Sequence, residues 1–201
     1  MKKTFIGCYN KSVILTYVGI AFAIFGLNTK SVKTAVLCLI ISGICDLFDG
    51  KVARMCKRTD EEKNFGIQID SLADVIAALI LPVAILNKVC STSDTFTRTL
   101  CYAVSLIYVL SGVTRLAWFN ITTTGTDKYF QGFPVWTMTL LNPILFIIFG
   151  NSEKFVAILL ISYMITAFLF VLNMPIKKPK GKDYAVLSFI EILIIISVIL
   201  K

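Results

Sequence analysis

The residues best placed to do chemistry in this sequence are aspartates. Asp46 and Asp49 lie at i, i+3, and Asp70 and Asp74 lie at i, i+4. On a helix, either spacing puts both carboxylates on one face. If the two segments pack as neighbours, as consecutive elements usually do, the four converge on one point. Such a set repels itself and is costly to desolvate, so it calls for cations. Oxygen-only ligands suit hard divalent ions such as Mg²⁺, Mn²⁺ or Ca²⁺. Two such ions a few ångströms apart form a clamp for in-line displacement at phosphorus. Neighbouring residues suit the same purpose. Gly50 and Ala53 make a small stripe that lets a ligand approach the backbone, Arg54 is a natural phosphate partner, and Gly66 shares a face with Asp70. The chain has no His, which excludes a Ser-His-Asp triad, an imidazole base and His metal ligands.

The elements that must position these groups are membrane spans. Hydrophobic residues make up 57% of the 201, with a mean hydropathy of +0.81 and a net charge of +8. The apolar residues run in long blocks, so the expected class is all-α: a polytopic transmembrane helical bundle of six to seven spans forming a single catalytic domain over residues 1–201. The spans are expected at 12–28, 32–49, 68–88, 99–118, 134–150, 154–174 and 184–200, the last either crossing the membrane or lying against it. The aspartates then sit at the facing ends of the second and third spans, with Lys57–Asn64 as a polar turn between them. With the N-terminus inside, most Lys and Arg, including Lys2, Lys3, Lys128, Lys178 and Lys180, fall on the cytoplasmic side, which places the aspartates there too. A basic inner face suits anionic headgroups; nothing in the chain points to nucleic acid. The six Cys contain no C-x-x-C pair and read as buried or lipid-facing thiols.

Asp46-Leu-Phe-Asp49-Gly50-Lys-Val-Ala53-Arg54, followed by Gly66-Ile-Gln-Ile-Asp70-Ser-Leu-Ala-Asp74, resembles the CDP-alcohol phosphatidyltransferase signature D-x₂-D-G-x₂-A-R…G-x₃-D-x₃-D at every fixed position. The stretches Phe65–Asp74, Arg115-Leu-Ala-Trp-Phe-Asn120 and Gln131-Gly132-Phe-Pro134-Val are similar to the serine-using branch of that family. Two features depart from it. The spacer 55–65 is longer than the common pattern, and Ala78-Leu79 stands before Pro82 where the branch often has Phe-Gly, adding bulk.

The resemblance implies metal-dependent transfer of a phosphatidyl group from CDP-diacylglycerol to L-serine, with release of CMP. Asp46, Asp49, Asp70 and Asp74 would hold two divalent ions, Mg²⁺ or Mn²⁺, and Asp74 would be the general base. Asp49, Gly50, Ala53, Arg54 and Gly66 would meet the CDP moiety. It also implies a homodimer. For the acceptor, Arg115 is a charge at the inner end of the fourth span that either pairs with a serine carboxylate or snorkels to the interface. Asn120 and Gln131 either bond the acceptor or cap loops. Glu191, far from the signature, reads as a helix-packing or interfacial residue, and Asn142-Pro143 as a kink. Competing readings are the same chemistry on glycerol 3-phosphate or an inositol phosphate, a metal-ion carrier, and an inactive scaffold.

Overall fold

A computed structural model describes residues 6–122, 129–177 and 182–201. Of the basic residues used to orient the chain, Lys2, Lys3, Lys128, Lys178 and Lys180 lie outside the described residues. All seven expected spans are helical: α1 (Lys11–Asn28), α2 (Val32–Met55), α3 (Asp60–Asp74) running on into α4 (Leu81–Val89), α5 (Thr95–Thr122), α6 (Met138–Phe149), α7 (Phe155–Val171) and α8 (Lys182–Leu200). Among the described residues, Lys11–Asn28, Asp60–Thr92 and Thr95–Thr122 are long and apolar enough to cross a membrane, joined by the shorter apolar helices Val135–Phe149, Phe155–Val171 and Val186–Leu200. Large apolar side chains such as Ile14, Phe25, Leu106, Ile161 and Phe168 are exposed around the outside, as a lipid-facing surface requires. This is an integral membrane protein.

Side-chain caps explain where the site-bearing helices begin. Ser31 caps α2, accepting a hydrogen bond from Thr34 N at 3.2 Å. Thr59 and Glu62 form a reciprocal capping box at the start of α3, whose first turn carries Asp60, Glu61 and Glu62. The third helix therefore starts at Asp60 rather than 68, and most of the expected polar turn is its first turns. Only residues 56–59 separate α2 from α3, a tight reversal that sets the two aspartate pairs side by side.

Just beyond Asp74 the helix widens into a π-helical segment, Val75–Ile80. Pro82 explains part of this. It has no N–H to offer the Ala78 carbonyl one turn back. Tyr108 of α5 supplies the missing donor, its hydroxyl reaching Ala78 O at 2.7 Å. The Pro82 carbonyl in turn accepts from Tyr163 of α7 at 2.6 Å, and Asn142, fully buried beside Pro143 in α6, donates to Tyr163. Buried hydroxyls thus pin the irregular helix between α5, α6 and α7. The extra bulk of Leu79 is absorbed here as well. It is fully buried, and a Cβ on Gly112 of α5 would run into Leu79 Cδ2, so the missing side chain at 112 makes room for it.

Two apolar cores meet along this segment. One joins α1, α2, α4 and α8 through Ala23, Leu39, Leu81, Ile85 and Val198. The other joins α5, α6 and α7 through Tyr108, Met138, Leu159 and Phe170. At the site-bearing end, β1 (Tyr129–Gln131) and β2 (Pro175–Lys177) pair antiparallel and tie the segments after α5 and α7 together. Gly132 closes that ribbon at φ +76°, where a Cβ would sit 2.6 Å from the Phe170 carbonyl oxygen, so the turn requires glycine.

One expectation about cysteine is corrected. Cys90 and Cys101 form a disulfide across the α4–α5 connection, while Cys8, Cys38, Cys45 and Cys56 are free. The bond joins two buried residues that hydropathy alone marks only as apolar.

Candidate active site

Between the ends of α2, α3, α5, α6 and α8 lies a cavity of about 200 Å³. Asp46, Asp49, Gly50 and Arg54 enter it from α2, Asp70, Ser71 and Asp74 from α3, and Arg115 from α5. Asp46, Asp49 and Asp70 each offer a carboxylate oxygen, all within 4.8 Å of one another. That is the spacing a shared hard cation demands, and the donor set is all oxygen. Asp49 is buried, and Asp46 and Asp70 are half-buried. Asp74 stands outside this group of three but in the same cavity, close enough to Arg115 for their charges to interact.

Arg115 is buried, 6% exposed, with its guanidinium 5.0 Å from the centre of the Phe119 ring. The snorkelling alternative requires a charge in water, and this one faces the cavity. Gly50 leaves open space: a Cβ there would meet only Arg54 Nη1, at 3.9 Å. Gly43 does the opposite and lets two helices touch. A Cβ at 43 would lie 2.6 Å from Thr139 Oγ1, so α6 closes on α2 at the cavity wall.

Other expected residues stand further off. Ala53 and Gly66 do not line the cavity, and a Cβ on Gly66 would meet Arg58 Nη1 at 3.3 Å. Asn120 accepts a hydrogen bond from Ser71 Oγ at 3.0 Å, bracing the α3 face that carries the aspartates. Gln131 accepts from Trp118 Nε1 at 2.7 Å and lines a separate outer cleft that Arg115 also borders.

Two contributors were missed. Thr16 of α1 donates its hydroxyl to Asp49 Oδ2, with the Ser12 carbonyl 3.1 Å away as its other neighbour. No sequence signal marks it, because it lies 33 residues from its partner. Glu191 of α8, expected to pack or face the interface, instead lines the cavity beside Trp136 and Thr139. Here the signal existed, a lone carboxylate in an apolar helix, and distance along the chain misled.

A model of the CDP-alcohol phosphatidyltransferase family matches residues 11–172, most of the chain and the whole aspartate constellation. The chain belongs to the CDP-alcohol phosphatidyltransferase family. It is 33% identical over 186 residues to a CDP-diacylglycerol–serine O-phosphatidyltransferase of Helicobacter pylori, covering 88% of this chain and 74% of that one. It is 35% identical over 105 residues to the Saccharomyces cerevisiae protein of the same name, covering 48% and 35%. An archaetidylserine synthase of Methanothermobacter thermautotrophicus is 34% identical over 119 residues, covering 59% and 47%. The chain thus spans about three-quarters of the first relative and less than half of the other two. As a CDP-alcohol phosphatidyltransferase it is a divalent-metal-dependent enzyme of phospholipid synthesis, and its clustered aspartates fit that requirement.

Proposed function

We propose that this enzyme transfers the phosphatidyl group of CDP-diacylglycerol to the hydroxyl of L-serine, forming phosphatidylserine and CMP. The observation that carries the reading is the single cavity holding Asp46, Asp49 and Asp70 with their oxygens within 4.8 Å, beside Asp74 and Arg115. The serine hydroxyl attacks the lipid-linked phosphorus, a new P–O bond forms, and the bond to the CMP oxygen breaks. Asp74 takes the hydroxyl proton, which needs it within about 2.6–3.2 Å of that oxygen in the reactive complex. Two divalent ions held by the four aspartates, Mg²⁺ or Mn²⁺, would neutralise the diphosphate and the charge that grows on the leaving group. The open face over Gly50 admits the nucleotide end, and exposed Arg54 at the cavity rim meets its phosphate charge.

Among the described residues, the basic side chains lining the cavity are Arg54 and Arg115. With Arg54 at the nucleotide end, Arg115 is the buried cation among them that faces the acceptor. That suits a carboxylate on a zwitterion better than the dianionic phosphate of glycerol 3-phosphate or an inositol phosphate. The positive-inside bias supports a cytoplasmic site, where CDP and serine are dissolved while the acyl chains stay in the bilayer. Family resemblance supports a homodimer through the spans.

The test is CMP release from CDP-diacylglycerol by purified protein with Mg²⁺ or Mn²⁺, comparing L-serine, glycerol 3-phosphate and inositol 1-phosphate. Release with L-serine alone, lost in Asp74→Asn, is the expected result. Release only with a phosphorylated acceptor would overturn the serine assignment and keep the reaction class.

A further inference from the structure

Glu191 occupies an unusual place. It is 3% exposed, lies in the apolar stretch Val186–Leu200, and its Oε2 is buried with no hydrogen-bond partner among the described residues. An ionised carboxylate in such a setting is costly unless something compensates it. The end of α8 is pinned, with Lys201 Nζ donating to Phe146 O at 2.8 Å and Ile147 O at 2.6 Å, and Lys33 Nζ of α2 donating to Ile199 O at 2.8 Å. These bonds fix the register of α8 against α2 and α6, and that register delivers Glu191 to the cavity wall, alongside Trp136, Thr139 and Leu187.

The metal cluster does not account for it. Among the described residues, the group of carboxylates close enough to share one ion is Asp46, Asp49 and Asp70, without Glu191. The segment matching the family ends at 172, so α8 brings Glu191 to the site from outside it. The cavity therefore holds a buried cation on α5, Arg115, and a buried carboxyl group on α8, Glu191, with the aspartates of α2 and α3 in the same cavity. A ligand bearing one negative and one positive group complements that pair, and the indole of Trp136 adds an aromatic wall of the kind that favours ammonium groups.

We propose that Glu191 is a specificity-determining residue that binds the ammonium group of an amino-acid acceptor, while Arg115 takes its carboxylate. The inference rests on the serine reading above. It predicts which alcohols react: those with an ammonium beside the hydroxyl-bearing carbon gain from Glu191, and those without it do not.

The test is a two-by-two comparison of wild type and Glu191→Gln, each with L-serine and with 3-hydroxypropanoate, which lacks only the ammonium. Gln is nearly isosteric, and the wild-type arm alone already tests the ammonium preference if the variant folds poorly. Wild type is expected to favour serine in kcat/KM. Glu191→Gln is expected to lose about 10–100-fold in kcat/KM for serine, mainly through KM, while 3-hydroxypropanoate changes little. The KM for CDP-diacylglycerol and the Mn²⁺ dependence stay put. Equal losses with both acceptors, a shift in metal dependence, or an unchanged serine KM would overturn the role of Glu191. Wild type using serine while the variant behaves identically would sink this inference and leave the serine reading intact; wild type ignoring serine would sink both.

Discussion

Thr16 offers the sharpest perturbation. Its hydroxyl is the side-chain donor to Asp49, the buried member of the three clustered carboxylates, and it comes from α1 while the ligands come from α2 and α3. Thr16→Val keeps the shape and removes that bond together with the hydroxyl's contact to the Ser12 carbonyl. A hydrogen bond to a charged group contributes about 1.5–3 kcal/mol. Groups that orient metal ligands typically change affinity by about 10–100-fold when lost, and a tenfold change is about 1.4 kcal/mol, so the two scales agree. The Mn²⁺ concentration for half-maximal CMP release should therefore rise by about 10–100-fold in Thr16→Val. At saturating Mn²⁺, kcat should stay within a few-fold of wild type, and Thr16→Ser should restore the affinity. Thr16 is 6% exposed in the helix pair α1–α2, so thermal unfolding must be followed in parallel. A variant that unfolds like wild type with unchanged Mn²⁺ dependence would refute the idea that Asp49 is a ligand held by α1.

Three further perturbations separate architecture from chemistry. Gly43→Ala places a Cβ about where Thr139 Oγ1 stands, at 2.6 Å, and should cost about 1–3 kcal/mol, read as a lowered midpoint of thermal unfolding in detergent. Tyr108→Phe leaves the Ala78 carbonyl without its donor and should destabilise by about 1–3 kcal/mol in the same assay, with activity per folded molecule largely kept. Gly50→Leu fills the open face above α2, where the nearest atom to a Cβ is Arg54 Nη1 at 3.9 Å. It should fold normally and bind Mn²⁺, but show a strongly raised KM for the CDP-linked lipid.

What was legible in the sequence follows from what local patterns encode. Long apolar runs mark helices whatever they pack against, so all seven expected segments are helical. The i, i+3 and i, i+4 spacings put each aspartate pair on one face, and a short connection brings the faces together. Less was visible wherever the determinant is a partner distant in sequence. The π-helical widening at Val75–Ile80 depends on Pro82, which is local, but also on Tyr108 and Tyr163, which are not. Thr16 looks like any polar residue in an apolar helix until α1 is laid against α2. The three-residue strands β1 and β2 are too short for a period-two pattern and are held by their pairing. Glu191 shows the converse error: separation along the chain was taken for separation in space, although a returning helix in a small bundle can reach any of its neighbours.

The central claim is attack by an acceptor hydroxyl on the lipid-linked phosphorus, with CMP as the leaving group. It is tested most directly by following one oxygen atom. L-serine labelled with ¹⁸O in its hydroxyl would be incubated with CDP-diacylglycerol, Mn²⁺ and the purified enzyme, and both products weighed by mass spectrometry. The account predicts full retention of the label in the phosphodiester of the lipid product and none in CMP, with no turnover after chelation of Mn²⁺. Label appearing in CMP, label lost from the lipid, or undiminished turnover without a divalent ion would contradict it.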